Sequence, residues 1–350
     1  MLPQHLVKAG LLTLVLVIAF VMCWEFFLRQ KGYSVSYDDN AALWADKRKA
    51  VYQPTDKATV FIGSSRIKFD LDIPTWEKRT GQKAVQLAMV GSSPLPVLDH
   101  LAKDENFHGR LVISVTEGLF FSTRGREMPS EFIAFYDDWT PSQKASFQLN
   151  HLLESKFVFL DKDNFSINNY LSELPISERP GTYNGPDFPW EFDKTSFERQ
   201  SLMDDRFMAD TNLQKQVQNV WAGFAKRFRG GPTTGKTLDS IMLAIKQSVD
   251  KIKARGGEII FVRPPSSGPY WQGENKAFPR NVYWDKLLAI TKSPGIHFKD
   301  YPAISNFVCP EFSHLSPKDA IVFTEHFVRI LNEKGLISGK QMALQTPHQN

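Results

Sequence analysis

Cysteine is nearly missing from this chain: only Cys23 and Cys309 occur in 350 residues. One lies inside an apolar run and the other far downstream, so no structural disulfide is expected and the fold must rest on its core. A strong charge of one sign is missing too. Lys and Arg number 42 against 38 acidic residues, a formal charge of +4. A nucleic-acid-binding chain usually concentrates a basic stripe, and no such stripe occurs here, so nucleic acid is not an expected partner. There is no low-complexity tract and no internal repeat. What remains, 42% hydrophobic and 23% charged residues, is a globular composition. The length allows one large α/β domain or two small ones with a sizeable core.

The N-terminus is different in kind. From Ala9 to Leu28 the chain reads AGLLTLVLVIAFVMCWEFFL, with Glu25 as its only charge. A helix of about 20 residues is about 30 Å long, the thickness of a bilayer's hydrocarbon core. Trp24, Phe26 and Phe27 fit an interfacial aromatic belt. No small-x-small cleavage site follows, so residues 1–28 read as an uncleaved single-pass anchor rather than a signal peptide. Lys8 on one flank and Arg29 and Lys31 on the other give the positive-inside rule little to act on. An N-terminal anchor of this kind is expected to leave the bulk of the chain outside the cytoplasm, at the cell (inner) membrane.

Residues 29–55 read as a polar connector with helical character around Ala41 to Val51. Short apolar runs then alternate with helical patterns. The expected strands are Thr59–Ile62, Ala84–Leu87, Leu111–Val115, Glu258–Val262 and Ile296–Lys299, which suggest a parallel sheet buried on both faces. Thr237–Arg255 reads as a helix with the apolar stripe Leu238, Ile241, Met242, Ile245, Val249 and Ile252, closed by Gly256-Gly257. Pro317–Lys334 reads as another, with Ser316 as N-cap and Gly335 at its end. Both flank late strands, as a doubly wound α/β fold requires. Residues 120–235 break the alternation, being rich in aromatics, prolines and acids, with helical stretches near Pro141–Leu153 and Leu213–Phe228. More than a hundred residues is too long for a crossover, so this is expected to be an insertion or lid between strands three and four. The domain then spans 56–335, with 336–350 as a tail.

GGPTTGKT, residues 230–237, matches the phosphate-loop spacing at Gly230, Gly235, Lys236 and Thr237. A phosphate loop must follow a buried strand, however, and WAGFAKRFR precedes it with a helical period. The next strand ends in Arg263 instead of the aspartate that would hold magnesium. The match is read as chance, and no nucleotide is expected.

Three turns carry the chemistry. VFIGSSRIKFD, residues 60–70, ends a strand at Gly63 and places Ser65 at the strand's C-terminal end, where open α/β sheets place their sites. A serine hydroxyl becomes nucleophilic only when a base takes its proton and a third group orients that base. VCPEFSHLSP, residues 308–317, supplies both. In its Glu-x-x-His turn the Glu311 carboxylate can bond one imidazole nitrogen of His314 while the other faces the serine. The remaining turn, VQLAMVGSSP (residues 85–94), offers the Gly91 backbone N–H toward a developing oxyanion. Each turn alone is equally compatible with a plain structural role.

GSSR, the Gly91 turn and ExxH, in this order, resemble blocks I, II and V of the SGNH (GDSL-type) hydrolase and acyltransferase superfamily. The resemblance spans about residues 58–335. It implies a three-layer α/β/α, flavodoxin-like domain, with Ser65 as nucleophile, Ser65 and Gly91 as oxyanion donors, His314 as base and Glu311 as acid. No cofactor and no metal is implied. Three positions depart from the family pattern. Ser64 replaces the first-block aspartate. Glu311 replaces the aspartate that orients the base, with Asp300 as a fallback. The third-block asparagine is replaced by Thr116-Glu117-Gly118, and an ionised glutamate aimed inward would repel an oxyanion. Arg263, at the end of the fourth strand, either pairs with Glu117 or binds an anionic or carbonyl group, the ion pair being favoured; Arg66 is a similar case.

Anchor, connector, GSS turn and ExxH resemble the membrane-anchored branch that acts beside membrane-bound O-acyltransferases in cell-envelope polymer acylation. The resemblance implies serine-dependent acyl transfer, as O-acyltransferase or esterase, with a glycan acceptor, the bilayer, and such an acyltransferase as partners. The rival is a non-catalytic accessory protein of the same fold, which would account for the missing asparagine.

Overall fold

The computed structural model describes residues 3–172, 174, 188–227 and 231–337. The tail call falls mostly on residues 338–350, and Gly230 and Phe228 also lie outside the described residues. The chain divides into two compact units. One comprises residues 1–38 and 140–185, the other 39–139 and 186–350.

The second unit is built on a five-stranded parallel sheet. Its strands are β1 (Ala58–Ile62), β2 (Lys83–Gln86), β3 (Arg110–Ser114), β6 (Glu258–Arg263) and β7 (Gly295–His297), in spatial order β2-β1-β3-β6-β7. Two short strands, β4 (Lys194–Thr195) and β5 (Ser201–Leu202), form a separate antiparallel pair. The register aligns Val60 with Val85 and Leu111, and Leu111 with Ile259. Every residue of β1 and β3 is buried. Alternate residues face different clusters: Val60 and Ile62 join one with Leu111, Ile113 and Phe261, while Phe61 joins the other with Val112, Ile260 and Val262. That is why these strands read as continuous apolar runs rather than alternating ones. Burying each such large side chain contributes about 1.5–3 kcal/mol.

Helices 95–103 and 235–254 contribute to the first cluster, helices 73–80 and 317–333 to the second. The expected stripe from Leu238 to Ile252 is buried, and Gly256 closes its helix at φ +86°. Ser316 Oγ caps the last helix by accepting from Asp319 N–H at 3.1 Å. The last expected strand is shorter than its apolar run, because Phe298–Asp300 turn into a 3₁₀ segment.

Part of the expected connector belongs to the sheet unit. Helix 41–48 buries Leu43 and Trp44, and the Trp44 indole N–H donates to Leu87 O at 3.1 Å. The charged residues that follow them, Asp46, Lys47 and Arg48, hid the packing role. A helix (Thr211–Arg227), not a strand, precedes the phosphate-loop spacing.

In the first unit, helix Gln4–Gln30 has an 18-residue window of mean hydropathy 2.6, with none of that window buried. It is long and apolar enough to span a bilayer. Helix 141–154 and shorter helices at 162–165 and 167–172 complete this unit.

Candidate active site

The sheet order reverses beside β1: the chain passes from β1 to β2 on one side, then returns to β3 on the other. In open α/β sheets the crevice at this switch, beyond the strands' carboxyl ends, is where sites form. Ser65 lies there, as the first residue of helix Ser65–Asp70. Gly63 is required by close approach, not by a turn with positive φ. A Cβ at Gly63 would lie 2.6 Å from Ser114 Cβ and 2.8 Å from Ile67 Cγ2. From Ala58 to Leu71 every residue is buried except Ser65, which is partly exposed. The local sequence therefore puts one accessible hydroxyl in an otherwise closed segment.

His314 Nε2 lies 2.8 Å from Ser65 Oγ, across 249 residues of sequence. Its Nδ1 lies 3.0 Å from Glu311 Oε1. The same oxygen accepts from the backbone N–H groups of His314 at 2.6 Å and Ser313 at 3.2 Å. Glu311 and His314 are 0% and 1% exposed, so this geometry is shielded from water. Phe312, between acid and base, adopts φ +79°. For a non-glycine residue that conformation costs on the order of 1–2 kcal/mol, and it is what folds the Glu-x-x-His turn back on itself. The imidazole packs on Phe69 at 4.5 Å and Phe192 at 5.8 Å between ring centroids.

The base loop is tied to the nucleophile helix. Asp70 Oδ1 accepts from Leu315 N–H at 2.9 Å, and Arg66 Nε reaches Ser313 Oγ at 3.4 Å. Burial pushes the Asp70 carboxyl well above the usual range.

Gly91 lies in the turn after β2 at φ +62°, a conformation that glycine adopts without a Cβ penalty. Met89 N–H donates to Gly63 O at 3.2 Å, continuing the pairing of β2 with β1, and Ser93 N–H donates to Gly125 O, in a loop, at 2.7 Å.

The remaining expected residues form one buried ion network. Arg263 Nε and Nη2 donate to Glu117 at 3.1 and 3.3 Å, and Nη2 also reaches Glu274 at 2.6 Å. Nη1 donates to Pro264 O and Ser266 Oγ. All five donors of Arg263 are thereby engaged, which leaves none for a substrate anion. Arg66 also pairs with Glu274 and stacks over Tyr270, its guanidinium carbon 5.4 Å from the ring centroid. Burial opposes the charge on Glu274, yet Arg66 and Arg263 hold its carboxyl down at about 2. Glu117 is thus engaged by Arg263 on both carboxylate oxygens. Asp300, the fallback acid, lies outside the triad, paired with Arg280 at 2.9 Å on the surface.

Two residues that sequence reasoning missed complete the site. Trp221, on helix 211–227, donates its indole N–H to Glu311 Oε2, and Gln218 on the same helix donates to Pro310 O at 3.0 Å. Glu274, on helix 268–277, bridges the two arginines. Neither has a local motif. Trp221 meets Glu311 across 90 residues, and Glu274 joins Arg263, 11 residues away, to Arg66, 208 residues away. Among the described residues no cluster of three or more His, Cys, Asp or Glu side chains is arranged to hold a metal.

A scan against protein-family models finds no match to this chain, and a search of curated proteins finds none either.

Proposed function

We propose that this chain is a membrane-anchored serine acyl-transfer enzyme of SGNH type, acting as O-acyltransferase or esterase on a cell-envelope polysaccharide. The observation that carries this reading is the relay Glu311–His314–Ser65, with contacts of 3.0 and 2.8 Å ending on the one accessible hydroxyl of its segment. Glu311 holds the proton of His314 on Nδ1 and leaves Nε2 as the acceptor facing Ser65. His314 Nε2 takes the hydroxyl proton as Oγ attacks an ester or thioester carbonyl. The oxyanion that forms is met by the backbone N–H groups of Ser65 and Gly91. Collapse expels the alcohol or thiol, which takes the proton from His314, and leaves an acyl ester on Ser65. A glycan hydroxyl, or water, then gives its proton to His314, attacks that ester and returns Ser65 to its free form.

The sheet order is compatible with a flavodoxin-like, three-layer arrangement, and residues 120–235 are assigned as an insertion whose helix 211–227 reaches the catalytic acid. The apolar N-terminal helix supports a single-pass anchor; its place in the inner membrane, the catalytic unit outside the cytoplasm and a membrane-bound O-acyltransferase as partner are proposed from the family resemblance. A non-catalytic accessory role is the second reading. It draws on Glu117, which stands where the family's asparagine donor would be and is occupied by Arg263.

The two readings separate on one experiment. The full-length protein is incubated with p-nitrophenyl acetate, quenched in acid and digested for mass spectrometry. The catalytic reading predicts an acetyl adduct on the Ser65 peptide, absent from His314→Ala. An unmodified Ser65 peptide in folded protein supports the accessory reading.

A further inference from the structure

We propose that helices 141–154 and 167–172 lie in the lipid headgroup region of the bilayer with their apolar faces against the acyl chains, forming a membrane-embedded platform around the end of the anchor. This rests on the assignment of the N-terminal helix as a membrane span and goes beyond it, because both helices lie more than a hundred residues from that span in sequence.

Each helix exposes an apolar row at helical spacing. Leu149, Leu152 and Leu153 are 65%, 58% and 50% exposed, and Ile167, Tyr170 and Leu171 are 76%, 49% and 55% exposed. Leu174, just past the second helix, is 50% exposed as well. The rows fall at i, i+3 and i+4, so each is one helix face. Contiguous exposed apolar faces of this kind mark a binding surface rather than ordinary solvent contact. The opposite side of helix 141–154 is anchored within the unit, where Phe147 is buried and stacks on His151.

What covers these faces follows from where the helices attach. Glu25 is nearly buried despite belonging to an apolar helix. Its carboxylate accepts from the Val158 and Phe159 N–H groups at 3.0 and 3.3 Å and from Arg29 Nε at 2.7 Å. Arg29 also donates to Lys156 O at 2.9 Å. Residues 156–159 are thus fixed to the last turns of the N-terminal helix. A hydrocarbon core accommodates about 20 residues of helix, so a span that starts near Gln4 ends near Glu25. Trp24, Phe26 and Phe27, all exposed there, are the residue types enriched at that depth. Helix 141–154 ends just before the fixed segment and helix 167–172 begins soon after it, so both start from the interface. Amphipathic helices held at that level lie in the membrane plane with the apolar face down.

The test uses full-length protein reconstituted alone into phosphatidylcholine–phosphatidylglycerol vesicles, in a Cys23→Ser background. Cys309 stays, because it is buried and burial pushes its thiol well up, out of reach of labelling. An environment-sensitive nitrobenzoxadiazole label is placed at Leu153→Cys, at Ile167→Cys or at Leu16→Cys. Each is read with and without lipids carrying a nitroxide near the headgroup or deep in the chain. The platform predicts blue-shifted emission at 153 and 167, quenched most by the shallow nitroxide, and quenching at 16 mainly by the deep one. Quenching at 16 with water-like, unquenched emission at 153 and 167 overturns the platform and leaves the anchor standing. No quenching at any of the three removes the anchor and the platform with it. Shielding at 153 and 167 only after a membrane protein partner is added overturns the lipid assignment in favour of a protein interface.

Discussion

Two glutamates, Glu311 buried and Glu274 half-buried, border Ser65's helix and the His314 loop, and their surroundings are opposite. Glu274 is clamped between Arg66 and Arg263, and its charge is satisfied before any substrate arrives. Glu311 meets only N–H groups: two backbone amides, an indole and the imidazole of His314. No arginine or lysine among the described residues pairs with it. A carboxylate held by dipoles alone keeps its charge available for the one cation that forms during acyl transfer, the imidazolium. A carboxylate locked between two guanidiniums cannot serve that way, and its role is to hold two helices and a strand end together. The same residue type thus orients a base in one place and cements a wall in the other, and the difference lies in whether its partners carry charge.

Removing the carboxylate from each site should separate these roles. Glu311→Gln keeps size and most hydrogen bonds but presents an amide to Nδ1, which disfavours the productive tautomer. Acyl transfer should fall by about 10⁴-fold, as for the equivalent change in a serine triad, with little change in melting temperature. Steady-state rates beside calorimetry would check this, and a variant retaining a tenth of the rate would refute the acid's assignment. Glu274→Ala should do the reverse. Buried Arg66 loses its ion-pair partner and buried Arg263 keeps only Glu117, and breaking a buried pair typically costs about 3–5 kcal/mol. Urea unfolding measures it, and a loss under about 1 kcal/mol would remove the wall assignment.

Acid should expose the same contrast. Glu274 has its carboxyl lowered from 4.5 to about 2, because the arginines outweigh the burial that opposes its charge. A depressed folded-state value gives stability that is complete above the unfolded value near 4.5 and is lost as pH falls toward 2. Stability of the wild type should therefore drop through that window more steeply than that of Glu274→Gln, and equal slopes would contradict the ion network. The smallest effect is expected at Trp221→Phe, which removes one N–H from Glu311 and keeps the aromatic wall. A hydrogen bond to a charged group is worth about 1.5–3 kcal/mol, so kcat should fall by about tenfold or somewhat more, with KM nearly unchanged. A change in KM alone would assign Trp221 to substrate contact instead.

Much of this arrangement was legible because its signals are local. The five strands of the sheet appear as short apolar runs, and all five start within one residue of the expected position. Glu311 and His314 are three residues apart, close enough for the chain itself to impose their contact, and Ser65 follows a strand directly. Trp221 was not legible because its partner Glu311 lies 90 residues away, and Glu274 because its bridging role depends on Arg66, 208 residues away, as well as on nearby Arg263. Helix 41–48 is expected from the sequence, but its packing role was not legible, because the short buried run Leu43–Ala45 lies in a segment, 29–55, that otherwise reads as polar. Asp300 looked available as a second acid from its place after the last strand, but Arg280, twenty residues upstream, engages it at the surface.

The most direct measurement is labelling of the full-length protein with a fluorophosphonate, wild type beside Ser65→Ala and His314→Ala, with the adduct mapped by mass spectrometry. The account predicts an adduct on Ser65 that is lost in Ser65→Ala and in His314→Ala, with both variants folded. A folded wild type that takes no label at Ser65, or a His314→Ala variant labelled as fast as wild type, would contradict an activated serine at this site.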